Sequence, residues 1–191
     1  MARKPDPGAR DRILDVASRL FLEHGVRAVG LQQIIDECGC GKNMLYREFA
    51  SKDDLVVAYL ERCRQDWDAI IGRAARQSPD PAEQLVGIVA VVAEQAVEPR
   101  FRGCPLRNTR SDFAEGHPAQ RVIVAHYTDR QTYLRELAGR ARARDPESLA
   151  NRIALIIDGL NGNGAVLGNN GAASAARAFA EDAVRAATTP T

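Results

Sequence analysis

The sequence predicts an all-α protein on three observations. Apolar residues recur at three- and four-residue steps through most of the 191 residues. Cap-plus-proline signals punctuate these runs at Ser78-Pro79-Asp80-Pro81 and at Asp145-Pro146. No alternating strand pattern, hairpin signal or fixed-period repeat interrupts them.

In chain order, Ile13, Val16, Ala17, Leu20 and Phe21 fall on one face of a first helix, and Gly25 stands at its C-terminal stop. Leu31, Ile34, Ile35 and Cys38 mark a second, short helix. Cys38-Gly39-Cys40-Gly41 then requires a tight turn, because glycine reaches backbone angles that other residues avoid. A third short helix is expected over 42–49. Ser51-Lys52-Asp53-Asp54 has the pattern of a capping box, a hydroxyl followed three residues later by an acid. It opens a long helix with Leu55, Tyr59, Leu60, Cys63, Trp67, Ile70, Ile71 and Ala74 on its apolar side.

Asp80 is placed to cap the next helix, whose stripe is Leu85, Ile88, Val89, Val92 and Ala96. Residues 98–118 are irregular and rich in Pro, Gly and Arg, with a short helix expected over 106–113. A long helix from Pro118 carries Val122, Ile123, His126, Arg130, Tyr133, Leu134 and Leu137. The helix after Asp145-Pro146 carries Leu149, Ile153, Ile156, Ile157, Leu160 and Leu167, and stops at Gly168-Asn169-Asn170-Gly171. A final alanine-rich helix carries Ala176, Phe179, Ala180, Ala183 and Val184.

Composition bounds the function. Hydrophobic residues are 45%, charged residues 27% and aromatics 5%, an ordinary globular balance. The net charge of +1 announces neither nucleic acid nor membrane, so either claim must rest on a local surface. No apolar run approaches the roughly 18–20 residues that span a bilayer, which argues against a membrane protein. No apolar stretch follows Arg3 and Lys4, so no secretory signal is visible and a cytoplasmic location is expected. There the four cysteines, Cys38, Cys40, Cys63 and Cys104, are expected to stay reduced. Dinucleotide, phosphate-loop, metalloprotease and nucleophile-elbow motifs are absent, and no enzyme, cofactor or metal site is expected.

Short helices flanking a glycine turn make a helix-turn-helix, in which one helix crosses the duplex backbone and the next enters the major groove. Residues 10–55 resemble the N-terminal domain of the TetR/AcrR family of transcriptional regulators. The resemblance is carried by Leu45, Tyr46, Phe49 and Lys52 in a Leu-Tyr-x-x-Phe-x-x-Lys spacing behind the first helix. Helical spacing turns Leu45 and Phe49 inward with Cys40 and leaves Asn43, Met44 and Arg47 facing outward. Arg47 suits a guanine edge or a phosphate, Asn43 an adenine edge or a phosphate, and Met44 a thymine methyl. The resemblance implies a phosphate hydrogen bond from Tyr46. Lys42 and Lys52 add charge near the backbone, and Arg3, Lys4, Arg10 and Arg12 a basic arm.

The chain departs from the family pattern where Val29-Gly30 and Gly41 replace hydroxyl residues, at a cost of at most about 0.5–2 kcal/mol per lost cap. Glu48 is an acid beside phosphates unless paired. Up to Lys52 there are nine Lys and Arg against seven Asp and Glu, so nonspecific DNA affinity is expected to be modest and salt-dependent.

The expected domains are 1–52 for DNA binding and 53–191 for ligand binding and dimerisation. The resemblance implies a homodimer through the two C-terminal helices. Independently, the helix after Pro146 is apolar on more than one face, and Gly159, Gly162, Gly164 and Ala165 admit a close backbone. A small-molecule effector is expected among Trp67, Ile88, Val92, Phe101, Cys104, Phe113, His126, Arg130, Tyr133 and Asn161. His126 and Arg130 share a face, so the charge needs an acidic ligand or an internal acid such as Asp158. Arg102-Gly103-Cys104-Pro105-Leu106-Arg107-Asn108 resembles a Gly-Cys-x-Leu-x-Asn element of a subset of the family, some members of which sense electrophiles through the cysteine. Cys38 and Cys40 are read as packing residues. The expected function is a repressor on a double-stranded DNA operator, released by its effector. The alternatives are a thiol sensor acting through Cys104 and a helical binding protein that has lost DNA specificity.

Overall fold

The computed structural model describes residues 8–167 and 171–189; the side chains of 164, 165, 167 and 172 are outside the description. Arg3, Lys4 and Gly168-Asn169-Asn170 therefore lie outside the described residues, as do the side chains of Ala165 and Leu167. Among the described residues there are helices and no strand. They are α1 (Ala9–His24), α2 (Leu31–Cys38), α3 (Lys42–Glu48), α4 (Lys52–Gln77), α5 (Pro81–Ala96), α6 (Pro105–Thr109), α7 (Pro118–Arg140), α8 (Pro146–Leu167) and α9 (Ala172–Thr188). A 3₁₀ turn, Arg110–Asp112, extends α6, so the helix expected over 106–113 is split in two.

Local chemistry sets the ends. Gly25 has φ +82° and its N–H donates to the Phe21 carbonyl, closing α1. The Ser51 hydroxyl accepts from the Asp54 N–H at 3.0 Å, opening α4. The Asp80 carboxylate accepts from the Ala82 N–H at 2.9 Å, with Pro81 behind it. Asp145 does the same for Ser148 at 2.9 Å. Each such cap contributes about 1 kcal/mol.

The chain divides into two compact units, residues 1–63 with 105–123, and residues 64–104 with 124–191. The boundary expected after residue 52 ends the three-helix motif. The first unit also takes in the opening turns of α4, the α6 segment and the start of α7. In this unit α1 packs on α2 and α3. Ile13, Leu20, Ile34, Leu45, Phe49 and Leu55 are essentially fully buried there. Truncating one such side chain to alanine costs about 2–5 kcal/mol. The 105–123 segment joins through Arg27, whose Nε donates to the Asp112 carbonyl at 3.0 Å, and through His117, 3.2 Å from the Asp53 carboxylate.

In the second unit α5, α8 and α9 pack together. Trp67, Leu85, Ile88, Leu134, Leu149, Ile153, Leu160, Ala176 and Val184 belong to one buried cluster. Phe179 departs from the expected stripe. It stands 58% exposed on α9, while Ala173, Ala176, Ala180 and Val184 face the core. An Ala-rich face lets α9 approach α5 and α8 closely, which leaves no room for a large ring.

Candidate nucleic-acid interface

The turn between α2 and α3 is built from Gly39 and Gly41. Gly39 caps α2 with φ +62°, a left-handed conformation that costs any Cβ-bearing residue. Its N–H and that of Cys40 donate back to the Asp36 and Ile35 carbonyls at 3.4 and 3.3 Å. Gly41 is the N-cap of α3 and supplies no side-chain hydrogen bond; Gly30 does the same for α2. The hydroxyl caps missing from the sequence have no local replacement at these two positions.

The period of α3 sorts its side chains. Leu45 and Phe49 are 0% and 2% exposed, with Cys40 buried beside them. Lys42, Asn43, Tyr46 and Arg47 are exposed and Met44 is half-buried. Of the outward set expected from helical spacing, Asn43 and Arg47 are exposed, while Met44 is partly covered. Tyr46 is an exposed large ring with the Lys42 ammonium 6.0 Å from its centroid. Its hydroxyl and that cation can share one phosphate.

Charge on this face is partly spent internally. Glu48, flagged as repulsive unless paired, accepts from Arg47 Nε at 3.0 Å and lies 2.9 Å from Arg47 Nη2. Arg10 stacks 4.2 Å over the Phe49 ring and donates to the Glu48 carbonyl at 2.5 Å, so this member of the expected basic arm anchors the end of α3. Lys52 is half-buried and donates to the Arg27 carbonyl at 3.4 Å. Desolvation pushes its ammonium below the usual lysine range. On α2, Glu37 is held below the usual carboxylate range, chiefly by its hydrogen bond from Arg19.

One expectation is corrected. Cys38 and Cys40, read as reduced packing residues, are joined by a disulfide. The left-handed Gly39 folds the chain so that their Cα atoms stand 5.3 Å apart, within the span a disulfide needs. Composition could not reveal this; the turn's geometry does. Cys63 and Cys104 are half-buried and outside it.

The residues expected around an effector fall in both units. Phe113 belongs to the first, where it stacks on His117 at 4.2 Å; the others belong to the second. Ile88 and Val92 are core, Trp67 is 8% exposed, Phe101 and Tyr133 pack on the core, and Cys104 and Asn161 are half-buried. His126 and Arg130 are buried polar residues. Arg130 Nη1 and Nη2 donate to the two Asp158 oxygens at 2.8 and 3.1 Å, so the internal acid supplies the charge partner. His126 meets Trp67 edge-on, with ring centroids 6.3 Å apart. A separate groove of about 490 Å³ is lined by Val86, Gly87, Ala90, Arg177, Glu181 and Val184 among others, and by none of the expected effector residues. No local pattern announces the contacts of Arg27 with Asp112 and His117 with Asp53, which join residues far apart in the chain.

Residues 13–59 match the family model described as bacterial regulatory proteins, tetR family. An HTH-type transcriptional regulator of Mycobacterium tuberculosis, Rv1255c, is 36% identical over 78 residues, 41% of this chain and 39% of that protein. The HTH-type transcriptional activator FasR of Mycolicibacterium smegmatis is 32% identical over 83 residues, 44% of this chain and 38% of that one. The matched stretch thus spans about two-fifths of the length of these curated relatives. The solved structure of SCO4454, a TetR-family transcriptional regulator from Streptomyces coelicolor, is similar along nearly the whole chain. Its TM-score is 0.89 at 26% identity, covering 95% of this chain and 96% of that one.

Proposed function

We propose that this chain, a transcriptional regulator of the TetR type, binds a double-stranded operator as a homodimer, represses from it, and is released when a small molecule occupies the second unit. The observation that carries the DNA-binding reading is α3. Its inner positions are buried, while Lys42, Asn43, Tyr46 and Arg47 stand together in solvent. Lys42 and Tyr46 take phosphates, and Arg47, Asn43 and Met44 read base edges. Lys52, bonded to the Arg27 carbonyl, contributes less to phosphate binding than Lys42.

Dimerisation through α8 and α9 is supported by large apolar side chains left in solvent. Leu155 and Val166 on α8 are 71% and 78% exposed, and Phe179 on α9 is 58% exposed. A two-fold pairing covers them and sets two α3 helices at half-sites roughly 34–36 Å apart. For the effector, Trp67, His126 and Arg130, all buried in the second unit with the Trp67 and His126 rings edge-on, would supply an apolar wall and a few polar groups. Because Asp158 already supplies the charge partner of Arg130, a neutral or weakly polar effector is favoured over an acidic one. Occupation would favour a dimer geometry mismatched to the operator.

The test is duplex selection from a randomised pool, followed by anisotropy titration and a ligand screen on the fluorescence of Trp67, the sole tryptophan. A palindromic duplex, bound by two chains and released by a compound that also changes Trp67 emission, is expected. Binding with no preference for any duplex would reject the reading.

A further inference from the structure

We infer that Cys38 and Cys40 form an oxidation site in the turn that aims α3, and that its thiol or disulfide state sets affinity for DNA. This rests on the DNA-binding reading above. Cys38 ends α2, Cys40 stands two residues on, and Gly41 opens α3. The sulfur bridge therefore spans the joint between the helix that crosses the duplex and the helix that reads it. The backbone bonds holding this joint, 3.4 Å from Gly39 to Asp36 and 3.3 Å from Cys40 to Ile35, are long for N–H···O contacts. Gly41, the N-cap of α3, brings no side-chain hydrogen bond to it. A covalent link removes freedom that these contacts leave, so the oxidised turn meets DNA with less ordering still to be done.

The local chemistry suits reversible oxidation. In the disulfide the Cys40 N–H donates to Cys38 Sγ at 3.2 Å, and the same donor, kept beside the sulfur after reduction, would favour its thiolate. Cys38 is half-buried and Cys40 buried, so Cys38 is the sulfur an oxidant reaches first. The oxidant is a hydroperoxide. The Cys38 thiolate attacks the O–O bond, forming a sulfenic acid and expelling an alkoxide, which takes the proton the thiol gave up and leaves as an alcohol. Cys40 sulfur then attacks Cys38 sulfur, the S–S bond forms, and hydroxide leaves with the Cys40 proton as water. Two thiols and one hydroperoxide thus give one disulfide, one alcohol and one water. A reductant returns both thiols.

The test uses the full chain and a duplex it enriches from a randomised pool without reductant. After hydroperoxide, alkylation under denaturing conditions and peptide mapping should find Cys38 and Cys40 protected and Cys63 and Cys104 modified. Treatment with a phosphine reductant should weaken binding about tenfold, and hydroperoxide should restore it. Cys38→Ser should bind as the reduced chain does and ignore both reagents, while Cys104→Ser should respond as the unaltered chain does. Equal affinity in both states, alkylation of Cys38 and Cys40 after hydroperoxide, or a response lost in Cys104→Ser would each overturn the inference. Enrichment of no duplex by either state would reject the DNA-binding reading itself, and this control with it.

Discussion

Arg130 lays its guanidinium across both carboxylate oxygens of Asp158, at 2.8 and 3.1 Å, from a side chain only 6% exposed. The partner carboxylate reaches solvent, and Arg130 Nε finds no hydrogen-bond partner among the described residues. The pair is therefore a buried cation tethered to a half-buried anion, with Tyr127 packed 4.7 Å from the guanidinium carbon.

Asp158→Asn should lower unfolding free energy by about 1–3 kcal/mol, below the 3–5 of a fully buried pair because water already reaches Asp158. Adding Arg130→Met should recover much of the loss by removing the stranded charge. Urea unfolding of the single and double variants checks this. A double variant less stable than the single would contradict it.

His126 makes stability depend on pH. Burial, then Arg130 and Arg64, push its imidazole from 6.5 down to about 4, against weaker opposing effects of Asp129 and Asp158. The folded state thus favours the neutral ring. Between about 6.5 and about 4 the unfolded chain binds the extra proton, so this stability is complete above that window and is lost as pH falls through it. The loss is of order 3 kcal/mol by pH 4. Thermal or urea unfolding across this range should show a shallower acid loss in His126→Gln than in the unaltered chain; parallel curves would contradict the assignment.

Glu48 restrains Arg47 through contacts of 3.0 and 2.9 Å. Glu48→Gln should free that guanidinium and raise affinity for any duplex about threefold to tenfold, with a steeper salt dependence. Arg47→Ala should weaken binding and relax sequence preference, whereas Tyr46→Phe should weaken it evenly across sequences. Anisotropy titrations on a selected duplex and a scrambled one, at two salt concentrations, separate these outcomes. Equal and purely nonspecific losses for Arg47→Ala and Tyr46→Phe would remove the base-reading role.

Phe179→Asp and Leu155→Asp should convert a dimer to a monomer without lowering monomer stability, because both side chains are exposed. Sedimentation should show the change. Operator affinity should fall at least about a hundredfold once two half-sites are no longer bound together. An unchanged sedimentation profile would place the interface elsewhere.

The sequence made the fold legible where one chemical signal dominates. The Asp80-Pro81 and Asp145-Pro146 starts, the Gly25 stop and the inward Leu45 and Phe49 follow from backbone preference and helical period alone. The outward face of α3 was legible for the same reason. What was not legible depends on tertiary geometry. The Cys38 to Cys40 bridge needs the left-handed Gly39, and Arg27 meets Asp112 across 85 residues. Phe179 turns outward because its alanine neighbours fill the core.

On the proposed function, two copies of α3, held by a symmetric dimer, read one duplex. Competition binding joined to sedimentation of the complex decides whether they do. Two chains per duplex are expected, with a selected palindrome preferred over random competitor by at least about a thousandfold. A single chain on the DNA, or equal affinity for both duplexes, would contradict it.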